Sequence, residues 1–83
     1  MEQLGRSPRQ IGAIVRRQRR RQGLSQGQLG SKVQFRQATI SNLEVGKAGT
    51  RVCTLLDVLA ALDLEIVVRP RTKGSTAEIE DLF

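Results

Sequence analysis

Apolar residues recur at three-to-four spacing through the first sixty positions, and the breaks between the runs carry Gly, Pro and Ser. That period turns one stripe of each segment toward a core, so the pattern predicts a succession of helices. Ser7 and Pro8 open the first, with Ser7 as N-cap and Pro8 at the first helical position, where its missing N–H costs nothing. Ile11, Ile14, Val15, Gln18, Arg19 and Gln22 form its inward stripe, and Gly23 stops it. Ser25 and Gln28 make a capping box for a second helix with Leu29 and Val33 inward. After a break at residues 34–36, a third helix places Ile40 and Leu43 inward and ends at Gly46. Past a turn containing Gly49, the stripe Val52, Leu55, Leu56, Leu59 and Leu62 predicts a fourth.

The period then changes. Leu64, Ile66 and Val68 alternate with Glu65, Val67 and Arg69 in a β-branched run closed by Pro70, which predicts one strand. A lone strand leaves its backbone donors and acceptors unpaired, and the same strand of a second subunit is the economical partner. Leu64, Glu65, Ile66, Val67, Val68 and Arg69 are therefore expected to form a homodimer, antiparallel about an axis near Val67, with Glu65 opposite Arg69 of the other chain. In the remainder, Ser75, Thr76, Ala77 and Glu78 form a capping box ahead of Ile79, Leu82 and Phe83 at helical spacing. A helix this short is marginal in water, so the segment is expected to be disordered alone and to order against a protein surface through Ile79, Leu82 and Phe83. The expected division is a flexible arm (1–6), a helical domain (7–63), a dimerisation strand (64–70) and an acidic disordered tail (71–83).

Charge sharpens this division. Residues 3–56 carry eleven Lys or Arg and a single acid, Glu44, whereas residues 57–83 carry six acids against Arg69, Arg71 and Lys73. A basic body suits a polyanion, and an acidic terminus suits a different partner. With 83 residues the chain has room for one domain, and with Phe35 and Phe83 as its only aromatics the core must be Leu, Ile and Val. One Cys and no His offer neither a disulfide framework nor a zinc site of the usual kind, so no metal and no cofactor are expected. Cys53 flanks the apolar stripe of the fourth helix and is expected to be a small packing residue. No residue set supplies a base, a nucleophile and its orienter, so an enzyme is not expected. The longest apolar stretch near the N-terminus is residues 13–15, too short for a leader or a membrane span, and a cytoplasmic location follows as the expectation.

Residues 26–45 carry the sharper signal. Counting Gln26 as position one, apolar residues stand at four, eight, ten, fifteen and eighteen (Leu29, Val33, Phe35, Ile40, Leu43), with Gly30 at five. Gly30 lets the two helices approach closely. Together with Gly23, Leu24 and Ser25 before it and Glu44, Gly46 and Lys47 after it, the segment resembles the phage-repressor type of helix-turn-helix domain over residues 9–63. One position departs: the ninth, usually a left-handed Gly in such motifs, is Gln34, which should strain or reshape the turn at a cost of roughly 1 kcal/mol.

The resemblance implies an all-α, four- to five-helix fold whose third helix reads the major groove of double-stranded operator DNA. Carried onto this sequence, Gln26 becomes a phosphate anchor, and Arg36, Gln37, Ala38, Ser41 and Asn42 become the base-facing set. Side-chain chemistry agrees, since Gln pairs with adenine, Arg with guanine and Ala suits a thymine methyl. Thr39 and Lys47 are better placed for phosphate. The plainer alternative, an ordinary solvated face, would normally mix charge signs. Arg19 falls on a buried stripe, and the family implies a bridge from it to Glu44, the alternative being two exposed, unrelated charges. The remaining arginines of the 16–21 run point several ways on a helix, with one or two expected near phosphate.

The strand at 64–70 and the string at 37–42 are similar to HipB-type antitoxins, in which the subunits pair these strands and the dimer represses its operon and holds a HipA-type serine/threonine kinase toxin inactive. Two other readings stay open on sequence alone: a stand-alone phage-like regulator, and a helical adaptor for protein or RNA.

Overall fold

Ser7 turns the chain into the first helix. Its backbone is extended and its hydroxyl accepts the Gln10 N–H at 3.1 Å, which starts α1 (Pro8–Arg21) with Pro8 in the first turn. The computed structural model describes residues 2–71; Met1 and residues 72–83, with Ile79, Leu82 and Phe83 of the expected partner-binding set, lie outside the described residues. Gly23, at φ +71°, carries the chain out of α1. The capping box then forms as expected, with Ser25 Oγ accepting from Gln28 N at 3.0 Å and Gln28 Oε1 accepting from Ser25 N at 2.8 Å. It opens α2 (Gln26–Val33), followed by α3 (Gln37–Glu44) and α4 (Val52–Ala61).

Val15, Leu29, Ile40, Leu43, Val58, Leu59 and Leu62 are buried together, flanked by Leu24, Val33, Phe35, Leu55, Ala61 and Leu64. All four helices thus contribute to one aliphatic core, α3 packing on α1 and α2, and α4 on α2. The face of α4 differs from the expected stripe: Val58 is fully buried, whereas Val52 is 68% and Leu56 45% exposed. Residues 55, 58, 59 and 62 satisfy helical spacing as well as the expected set, and packing against α2 selects them. Cys53, expected to pack, is exposed on the same open side.

The last carbonyls of α4, which have no partner within their helix, are met by side chains from elsewhere. Leu62 O accepts from Gln18 Nε2 at 3.1 Å and Gln22 Nε2 at 2.9 Å, and Ala61 O accepts from Lys32 Nζ at 3.1 Å. Gln18 and Gln22 of the α1 stripe therefore tie α1 to the end of α4. Asp63, at φ +58°, then leads residues 64–71 away without helix. The strand expected over residues 64–70 is not formed: no ladder is assigned among the described residues, where this segment has no neighbouring extended backbone to bond to. Arg69 instead pairs with Glu2 of the N-terminal arm at 3.2 Å, both exposed, a contact of small energetic weight.

Candidate nucleic-acid interface

The turn between α2 and α3 is built on the residue that departs from the motif. Gln34 sits in the left-handed region (φ 64°, ψ 36°) and caps α2, while Phe35 N donates to Gly30 O at 2.8 Å to close the turn. A Cβ on Gly30 would lie 2.7 Å from the Phe35 carbonyl oxygen. The small residue thus makes room chiefly for the turn backbone, a closer constraint than the helix crossing expected from sequence.

Gln37 opens α3 with its backbone nitrogen against the middle of α2, 3.6 Å from where a Cβ on Gly30 would stand, and its side chain reaches toward the first turn of α2, Oε1 lying 3.9 Å from where a Cβ on Gly27 would stand. No side chain caps α3, so its first N–H groups are left to water or to an anion. Arg36, Gln37, Ala38 and Asn42 are exposed, Thr39 and Ser41 half-buried, and Lys47 is exposed just past the helix. On the opposite side of α3, Ile40, Leu43 and Glu44 are buried.

Glu44 fixes the orientation of this element. Its carboxylate accepts from Arg19 Nε at 2.6 Å and Arg19 Nη2 at 3.0 Å, a two-point clasp, while Arg19 Nη1 donates to Leu24 O at 2.8 Å. The side chains are 9% and 2% exposed, so the bridge expected between them is buried. Hydrogen bonding to Glu44 raises the Arg19 pKa above its ordinary value, against the opposing pull of burial, with the carboxylate charge adding to the rise. Gln26 Nε2 also donates to Glu44 Oε1, at 3.1 Å. One of the two amide hydrogens of Gln26 is thereby committed, which holds the side chain at the mouth of the site and leaves the second for another acceptor.

Sequence reasoning missed Gly12. A Cβ there would fall on the carbonyl oxygens of Leu43 and Glu44, so α1 lies directly against the end of α3 at this position. Its signal was available only as a small residue inside an apolar stripe. The arginine run also resolves into separate fates: Arg19 is buried, Arg21 lines a cleft beside the C-terminal extension, and Arg16, Arg17 and Arg20 join Arg9 along one groove of α1. Among the described residues no cluster of His, Cys, Asp or Glu suits a metal ion, and no helix is long and apolar enough to cross a membrane.

Two short helices joined by a tight turn, one exposing an acid-free polar face, define a helix-turn-helix protein, and the helix-turn-helix domain family matches residues 10–71. The chain is 32% identical over 78 residues to antitoxin HipB of one Escherichia coli strain, covering 92% of this chain and 83% of the relative. Against antitoxin HipB of a second strain the identity is 32% over 74 residues, covering 89% and 84%. Solved structures agree: a HipB variant complexed with an O2 20mer has a TM-score of 0.79 at 29% identity, covering 87% of this chain and all of that one. A HipA–HipB–O2–O3 complex gives 0.77 at 30% identity, covering 86% of this chain and all of the matched one. The chain belongs to the HipB family of helix-turn-helix proteins.

Proposed function

We propose that this protein is a sequence-specific DNA-binding repressor, the autoregulating antitoxin of a HipBA-type module, which lays α3 in the major groove of its operator and neutralises a HipA-type kinase toxin. The observation that carries the DNA reading is the exposed polar face of α3, with the Gln37 side chain reaching toward the first turn of α2 that Gln26 opens and the orientation locked from behind by Arg19 and Glu44. Arg36, Gln37, Ala38, Ser41 and Asn42 meet base edges, and Gln26, Thr39 and Lys47 meet phosphates. The poverty of acids on this side suits a phosphate backbone.

Residues 64–69 pair with their counterparts in a second subunit, and the exposed Val52, Leu56, Ile66, Val67 and Val68 supply apolar surface for that contact. Two-fold symmetry then calls for a palindromic operator. Ile79, Leu82 and Phe83 contact the toxin, with Glu80 and Asp81 steering the approach. The work of such a protein is binding, not catalysis, and its place is with the DNA in the cytoplasm.

The test is duplex binding at fixed salt. Gln37→Ala should lose roughly 1–3 kcal/mol on a duplex selected from a random library and far less on unselected duplex. Equal losses on both would refute base reading by Gln37.

A further inference from the structure

Arg9, Arg16, Arg17 and Arg20 line a groove of about 500 Å³ along α1, together with Ala13 and Val45. Arg9, Arg16 and Arg20 have no ion-pair partner among the described residues. Glu44 borders the groove, yet both its oxygens are engaged by Arg19. The other described acids stand elsewhere: Glu2 meets Arg69, Asp57 is on α4, and Asp63 and Glu65 line the cleft beside the C-terminal extension. Arg16 and Arg20, one helical turn apart, repel each other. Val45 adds an apolar surface 67% exposed. The groove thus asks for an occupant that is acidic and apolar at once.

The chain itself encodes such a segment. Glu78, Glu80 and Asp81 interleave with Ile79, Leu82 and Phe83. Arg71 lines the same long cleft as Ile11, Ile14 and Gln18 on the adjoining side of α1, so besides any length of that cleft the segment has to cross about one helix diameter, roughly 10–12 Å. Seven steps separate Arg71 from Glu78, a reach of up to about 24 Å. Tethering of this length raises the local concentration of the segment to roughly the millimolar range.

We propose that residues 78–83 dock in the α1 groove of their own chain, as a charge-matched strap that competes with polyanions for these arginines. The phosphates of duplex DNA would satisfy the charges but offer nothing apolar to Val45 and Ala13, whereas this segment satisfies both. Docking keeps the basic face from holding the protein on non-cognate duplex. A toxin that takes the same segment, on the reading above, would uncover that face. The docking itself does not rest on that reading.

Amide shifts of the full-length protein at low salt test it without DNA, comparing the natural chain with the triple variant Glu78→Gln, Glu80→Gln, Asp81→Asn. Differences should concentrate at residues 9–20 and Val45 and vanish near 1 M salt, where the screening length is about 3 Å. No difference at α1, or shifts there that arise only when duplex is added, overturns the docking. The second readout is affinity for random duplex. Neutralising the tail should raise it about three- to tenfold with the arginines intact and under about 1.5-fold once Arg9→Gln, Arg16→Gln, Arg17→Gln and Arg20→Gln have emptied the groove of its cations. Equal gains in both backgrounds would show that the tail acts through net charge alone and overturn the competition. A protein that binds no duplex in any form would refute the α3 reading while the amide shifts still decide the docking.

Discussion

Replacing Glu44 by Ala should come close to unfolding the protein. The substitution removes two charged hydrogen bonds to Arg19 and one to Gln26, and leaves Arg19 in a site where its side chain is 9% exposed, with only the Leu24 carbonyl as acceptor. Stranding a buried charge in this way costs roughly 3–5 kcal/mol. A domain of this size has about 4–12 kcal/mol in total, so a quarter or more of the stability goes. With each kcal/mol worth about 4–8 °C in a domain this small, the melting temperature should drop by at least about 12 °C. Arg19 cannot relieve the strain by shedding its proton. A guanidinium keeps its proton at any ordinary pH. In the natural chain Glu44 raises the Arg19 pKa further, so the stability Arg19 contributes there is fully present below the unfolded value and lost only in strongly alkaline solution. The Arg19 contribution therefore stays constant between about pH 6 and 9. Removing both partners together, as Arg19→Met with Glu44→Leu, should restore most of the loss, because no charge is then left buried. Urea unfolding of the natural chain and the two variants at one fixed protein concentration compares them under matched conditions of association. A loss under about 1 kcal/mol for Glu44→Ala would mean that water reaches the pair and would refute the buried-bridge account.

Gln34→Gly should raise stability by roughly 0.5–1 kcal/mol in the same assay, since the residue holds φ 64°; an unchanged or lower value would show that the turn is not strained. Gly12→Ala should cost about 1–3 kcal/mol, because its Cβ would press on the carbonyls of Leu43 and Glu44, and a neutral result would mean that α1 can move off α3 freely. Ending the chain after Asp63 should weaken both self-association, measured by sedimentation, and binding to the selected duplex. A truncated chain that stays a tight dimer would place the interface on the helices.

Local chemistry determined much of this protein from sequence alone. The caps at Ser7 and Ser25, the stop at Gly23 and the left-handed turn at Gln34 depend on residues a few positions apart, and each stands in the structure where the sequence put it. The Arg19–Glu44 bridge was legible too, because a cation on a buried stripe requires an acid and residues 3–56 contain only one. Tertiary structure decided what periodicity leaves degenerate. On α4, two overlapping apolar stripes both meet helical spacing, and only contact with α2 makes Val58 core and leaves Val52 and Leu56 outside. Gly12 carries no local signature, since the demand for a missing Cβ comes from carbonyls more than thirty residues away. The same holds for Gln18, Gln22 and Lys32, whose donors find the unpaired end of α4 only after the chain has folded back: a helix end advertises its need for partners locally, but which side chains reach it depends on the packing of the whole domain.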